Sequence, residues 1–273
     1  MTLAPDTFAW VADLVRRRSA IQLEAGKEYL VESRLMPLAR ATGSMDVDAY
    51  VRGVRQVASP ASLEAVVEAL TTNETSWFRD AQPFTTLSRH IVPELLAQRP
   101  GAVLKIWSAA CSSGQEPYSI AMTLEDLVTT RRVQILGTDL NQKMVDRARA
   151  GRYNQLEVNR GVPAPMLVKH FTRQGADWEV AAALRAATTF ARHNLLEAPP
   201  GGGPFDVVFL RNVLIYFDLA TKRDVLRRVS QAIRPGGYLL LGAAETTIGI
   251  DDGWERVSHE RGSVYRLAAR RAA

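Results

Sequence analysis

Apolar positions recur at helical spacing over residues 7–70 and in short β-branched runs after residue 103. Phe8, Val11, Leu14 and Val15 share one face of a helix over 7–18, and Arg16, Arg17 and Arg18 stand at the end where cations suit the helix dipole. Residues 24–41 carry Tyr29, Leu30, Leu35 and Leu38 in a second helix, stopped by Gly43. Two shorter helices are predicted over 46–57 and 60–70, the latter capped by Ser59 with Pro60 in its first turn. These four make a small helical bundle. The next stretch, TTNETSWFRD (71–80), breaks the pattern: a polar run precedes Trp77, Phe78, Arg79 and Asp80. Two readings stay open for it, a loop folded back on a ligand and a helix terminus with its capping residues. A linking helix over 84–96 ends at Arg99-Pro100-Gly101.

From residue 103 the pattern alternates between strand and helix. VLKIWSAACSSGQEPY (103–118) reads as a strand that empties into a loop of small side chains, with a helix starting at about Pro117. Small residues let a ligand approach backbone N–H groups at a helix start. The loop lacks the dinucleotide fingerprint, because Ala110 and Ser112 stand where the first two glycines belong and only Gly114 is kept. Taken alone, it is either a cofactor loop or an ordinary strand-to-helix turn. A helix over 118–128 and a strand over 133–138 follow, and the strand ends in Asp139, where a nucleoside-binding sheet places its ribose acid. After a helix over 141–150 comes an irregular insertion, with a short helix over 164–170 and a hairpin around Gly175. Further strands are predicted over 188–193, 205–210 and 238–242, a turn at Arg211-Asn212, a helix over 219–233, a turn over 234–237 and a final hairpin from 254–257 and 263–267. Such alternation implies a mostly parallel sheet covered on both faces.

Composition narrows the class. With 273 residues, 47% of them hydrophobic, the chain can bury a substantial core. No run approaches the ~18 apolar residues of a membrane span, and MTLAPDTFAW lacks the features of a signal peptide. A soluble protein with no membrane insertion is expected. The single cysteine, Cys111, leaves no internal disulfide and no multi-cysteine metal site, which fits a reducing, cytoplasmic setting and predicts no bound metal. The net charge of +5 is uneven: nine basic residues face four acidic ones between Lys143 and Arg192. That stretch is read either as a face for an acidic partner or as a solvated surface.

In this order, TTNETSWFRD, WSAACSSGQEPYS, ILGTDLN, HNLLE, FLRNVLIYFD and RPGGYLLLGAAET resemble the chemotaxis receptor methyltransferases of the CheR family, which are S-adenosylmethionine-dependent protein-glutamate O-methyltransferases. The resemblance covers almost the whole chain. It implies an α/β fold: a Rossmann-like class I methyltransferase domain (102–273) with an inserted small β-subdomain (about 155–187), preceded by a small all-α domain (1–80) and a linker helix (81–101). It also implies that Asn73, Thr75, Arg79, Glu116, Asp139, Asn194, Leu195, Arg211 and Asn212 contact the cofactor, with Asp139 on the ribose and Glu116 near the methionyl amino group. The 71–80 stretch then becomes a lid. Cys111 is assigned no catalytic part.

The implied reaction moves a sulfonium methyl to a glutamate carboxylate on a chemoreceptor. Glutamate, with an ordinary pKa of about 4.3, needs no general base near neutral pH. Arg79 and Tyr216 are the residues expected beside the transferring methyl. Lys27, Arg34 and Arg40 of the helical domain are the expected contacts for the receptor's methylation helix. The insertion over 172–189 is short, which argues for an enzyme that works without a tail-peptide tether. Two rivals stand beside this reading. A nucleic-acid methyltransferase would use the basic stretch, but the Asn/Asp-Pro-Pro-aromatic motif of amino-group methylation is missing at Arg211-Asn212-Val213-Leu214, so no nucleic-acid partner is expected. A regulatory module would keep the pocket without turnover.

Overall fold

The computed structural model describes residues 3–257 and 264–268, which divide into two compact units. Of the described residues, the first comprises 3–72 with Tyr216–Thr221, and the second comprises Asn73–Ile215 with 222–257 and 264–268.

Four helices build the first unit: α1 (Pro5–Ser19), α2 (Glu28–Ala41), α3 (Val47–Val57) and α4 (Pro60–Leu70). Asp46 caps α3 by accepting from the Ala49 N–H at 2.7 Å, and Ser59 caps α4 by accepting from the Ser62 N–H at 3.2 Å. Val47, Tyr50, Val51 and Val54 are buried at the i, i+3, i+4, i+7 spacing of one helix face. The second helix starts later than its periodicity suggests. Gly26, at φ +89, turns the chain there, so Lys27 is the N-cap of α2 rather than a residue within it.

The second unit opens with α5 (Gln82–Thr86), a π-helical turn (Leu87–Ile91) and α6 (Val92–Gln98), where sequence gives one plain helix. Then follow β1 (Leu104–Ala109), α7 (Gln115–Thr123), α8 (Glu125–Thr129), β2 (Val133–Asp139) and α9 (Gln142–Ala150). The insertion contains β3 (Arg152–Asn154), α10 (Gln155–Asn159), α11 (Ala164–His170), β4 (Phe171–Gln174), β5 (Asp177–Val180) and α12 (Ala182–Ala187). The main sheet resumes with β6 (Thr188–Arg192), β7 (Phe205–Leu210), α13 (Leu219–Ala232), β8 (Ile233–Leu241), β9 (Trp254–Arg256) and β10 (Val264–Leu267). The final hairpin is present as β9 and β10; Ser263, expected to start its second strand, lies outside the described residues.

The seven-stranded sheet has the order β6-β2-β1-β7-β8-β10-β9, with β10 antiparallel to both its neighbours. Every residue of β7 is buried, as a central parallel strand covered on both faces requires. Strand order reverses at β1, which opens a crevice outside the carboxyl ends of β1 and β7. A separate three-stranded sheet, β3-β5-β4, forms the insertion.

Two further local expectations are corrected. The helix over 118–128 begins at Gln115 and is broken at Leu124. The turn over 234–237 lies within β8, where a register shift opposite Phe205 to Val207 absorbs it. The helical unit ends at Thr72, and beyond it Trp77 packs edge-on against Tyr153 and Phe171, with ring centroids 4.8 and 5.2 Å away.

Candidate active site at the carboxyl edge of the sheet

Two non-glycine residues, Ala110 (φ 60) and Ser112 (φ 50), hold left-handed backbone between β1 and α7, together with Gly114 (φ 96). Such conformations persist only where surroundings enforce them. Here the Ser112 N–H donates to Asp139 Oδ2 at 2.7 Å, the Cys111 N–H to the Thr138 carbonyl at 2.8 Å, and the Tyr153 hydroxyl to the Ser113 carbonyl at 2.7 Å. Gly114 is required for a second reason. A Cβ there would stand 2.8 Å from Ala148 Cβ, so only glycine lets α9 come this close. The missing glycines of the fingerprint are thus replaced by hydrogen bonds, and the surviving one is kept for packing.

Asp139 ends β2, 8% exposed, and the Asn141 N–H donates to its other oxygen at 2.9 Å. Two backbone donors therefore fix the direction of this carboxylate. Burial pushes the Cys111 thiol well up, and the Asp139 and Glu116 charges push it further, so it stays protonated and unreactive.

Arg211, immediately after β7, has a side chain only 2% exposed. Its guanidinium donates to Glu116 Oε2 at 2.8 Å, to Asp80 Oδ2 at 2.6 Å and to the Arg79 carbonyl at 2.9 Å. The Ser108 hydroxyl holds the second Glu116 oxygen at 2.7 Å. One arginine thus ties the 79–80 backbone to the first turn of α7. The Arg79 side chain points elsewhere, donating to the Glu74 carbonyl at 3.2 Å.

The rest of the 71–80 stretch is pinned at several points. The Ser112 hydroxyl donates to the Asn73 carbonyl at 2.9 Å, the Trp77 N–H to the Arg160 carbonyl at 3.1 Å, and the Phe78 N–H to the Ser119 hydroxyl at 3.0 Å. Glu74 pairs with Arg160. Phe78, Asp80 and Ala81 all have positive φ, so this is a strained loop and not a helix terminus. Between it and α9 lies a cavity of about 270 Å³, lined in part by Asn73, Thr75, Ser113, Gln115 and Met144.

Asn194 and Leu195 follow β6, with the Leu196 N–H donating to the Asn194 side chain at 3.1 Å, and Asn212 follows β7 at φ 58. In the second unit, Glu116, Asp139, Asn194, Leu195, Arg211 and Asn212 stand at or just beyond the carboxyl ends of strands, and Asn73, Thr75 and Arg79 lie in the 73–80 segment. The remaining four expected residues belong to the first unit. Tyr216 groups there, its carbonyl accepting from the Gln22 N–H at 3.4 Å. Lys27 and Arg40 are exposed, whereas Arg34 is committed to the Thr71 carbonyl at 2.6 Å. Sequence reasoning missed Asp80 as a partner of Arg211, and passed over Glu245 beyond β8. Both lie in stretches that carry the resemblance.

A seven-stranded sheet of this order, with a single antiparallel strand and a loop-to-helix turn at the reversal point, defines a class I S-adenosylmethionine-dependent methyltransferase. Residues 73–262 match the family described as "CheR methyltransferase, SAM binding domain", and residues 6–71 match "CheR methyltransferase, all-alpha domain". The chain belongs to the CheR family. It is 40% identical to "Chemotaxis protein methyltransferase 1" of Pseudomonas aeruginosa, over 97% of this chain and 99% of that protein. It is 39% identical to "Chemotaxis protein methyltransferase Cher2" of Pseudomonas putida, over 92% of this chain and 94% of that one. With the "Chemotaxis protein methyltransferase" of Escherichia coli the identity is 34%, over 90% and 86%.

The residues present fit the cofactor. A directed carboxylate ends β2, the loop between β1 and α7 carries only small side chains, and the adjoining cavity combines polar groups with Met144. No helix among the described residues is long and apolar enough to cross a membrane.

Proposed function

We propose that this enzyme methylates glutamate side chains of chemoreceptors in the cytoplasm, in an adaptation pathway. The observation that carries the reading is the near full-length similarity to chemotaxis protein methyltransferases, joined to a site that holds directed carboxylates. Bound S-adenosylmethionine would supply an electrophilic sulfonium methyl: a glutamate carboxylate oxygen would form the new C–O bond as the C–S bond breaks, with neutral S-adenosylhomocysteine as the leaving group. The chain's own work is orientation, worth up to ~7–11 kcal/mol in well-aligned intramolecular systems. Asp139 orients the ribose, Glu116 the methionyl amino group, and Asn73, Thr75, Asn194, Leu195, Arg211 and Asn212 complete the enclosure.

Arg79, once its side chain leaves the Glu74 carbonyl, and Tyr216 are assigned to position the acceptor carboxylate. Tyr216→Phe is expected to lower turnover at least tenfold while S-adenosylhomocysteine affinity, read by calorimetry, stays the same; unchanged turnover removes Tyr216 from the mechanism.

The receptor's methylation helix meets α2 of the helical unit through Lys27, Arg34 and Arg40. Because Arg34 is held by Thr71, the two exposed cations are the informative ones. Lys27→Glu with Arg40→Glu should raise KM for receptor several-fold and lose that effect at high salt, since exposed charges are screened within about 8 Å at physiological ionic strength. An unchanged KM would move the receptor face elsewhere. The short insertion favours catalysis without a tail-peptide tether.

The overall test is incubation with labelled S-adenosylmethionine and receptor-containing membranes. Alkali-labile label on the receptor is the expected result. Alkali-stable label would point to another acceptor, and no label to a regulatory module.

A further inference from the structure

Glu245 is 6% exposed and has no cation beside it among the described residues, yet its carboxylate is fully engaged. Oε2 accepts from the N–H groups of Gly242 and Asn212, each at 2.7 Å. Oε1 accepts from those of Val213 at 2.9 Å and Leu214 at 2.7 Å. Four backbone donors from the carboxyl ends of two neighbouring strands, β7 and β8, thus converge on one side chain. Charge-assisted bonds of this kind are about twice as strong as neutral ones. They also act where the backbone needs them: Asn212 is left-handed at φ 58, a conformation that does not hold itself. Gly242 completes the arrangement, since a Cβ there would stand 2.7 Å from both Asn212 Nδ2 and Glu245 Oε2.

We infer that Glu245 is the positioning residue for the β7 wall of the cofactor site, acting through the backbone of residues 212–214 to set Arg211 and Asn212. This rests on the proposed placement of the cofactor against those two residues. The pairing of donors makes a sharp test available. A glutamine in place of Glu245 keeps the shape but turns one oxygen into a donor, and either orientation of the amide then sets its N–H groups against two backbone N–H groups.

The experiment measures S-adenosylhomocysteine affinity by calorimetry, well below the unfolding midpoint, together with KM and kcat. Glu245→Gln should weaken S-adenosylhomocysteine binding and raise KM for S-adenosylmethionine at least tenfold, with kcat changed less than threefold. Glu245→Asp, which keeps both acceptor oxygens, should recover part of the loss. A purely structural role would lower the melting temperature without this split. Should Glu245→Gln give no soluble protein, Gly242→Ala perturbs the same clamp from its other side and is read in the same way. Asp139→Ala runs in parallel. Lost binding in Asp139→Ala with affinity within twofold of the parent in Glu245→Gln overturns the role of Glu245 alone, and unchanged affinity in both overturns the placement of the cofactor as well.

Discussion

Arg211→Met should weaken S-adenosylhomocysteine binding about a hundredfold. The substitution leaves Glu116, with a side chain 13% exposed, facing the cavity left by the guanidinium, and releases Asp80 and the Arg79 carbonyl. Removing one partner of a buried ion pair costs about 3–5 kcal/mol. The Asp80 half of the cluster is 43% exposed and partly screened, so the lower end applies. Where the loosened 79–80 tie has to be re-formed on binding, that cost falls on affinity, and about 3 kcal/mol is roughly a hundredfold. The change follows because the bonds lost are those that tie residues 79–80 to the start of α7. Arg211→Lys keeps the charge but not the fork that reaches three acceptors at once, and should recover little. Affinity within threefold of the parent in Arg211→Met would mean that the 73–80 segment is held by its other contacts alone.

Trp77→Ala carries the largest expected effect on stability. The ring is 2% exposed and meets Tyr153 and Phe171 edge-on. Truncating a buried tryptophan costs about 3–5 kcal/mol, which lowers the melting temperature by roughly 10 °C in a chain of this size. Trp77→Phe should lose less than half of that, for a specific reason: the indole Nε1 is buried without a hydrogen-bond partner, so only volume is lost. A melting temperature within 3 °C of the parent in Trp77→Ala would show that the segment contributes little to the folded state.

What the sequence reveals and what it hides differ by range. The cap Ser59, the β1-to-α7 turn and the acid at the end of β2 are written within a few residues of the elements they serve. The start of α2 shifts because Gly26 overrides a periodicity that runs through it. Strand β3 is only Arg152–Asn154, too short to show alternation, and exists because Trp178 and Glu179 of β5 pair with it. The candidate site residues come mainly from family resemblance. Their partners do not: Arg211 reaches Asp80 across 131 positions, and Glu245 reaches Asn212 across 33. Nothing local marks a carboxylate whose donors are backbone groups of a distant turn.

The contacts of Trp77 bear on how this enzyme can be rebuilt. Its ring lies between Tyr153 of β3 and Phe171 of β4, its N–H is held by Arg160, and a Cβ on Gly161 would overlap its carbonyl. Tyr153, in turn, holds the Ser113 carbonyl in the turn before α7. The insertion is therefore not a detachable module. An insertion exchanged between relatives must travel with its matching 71–80 stretch, because the join between them is also a wall of the cavity beside α9.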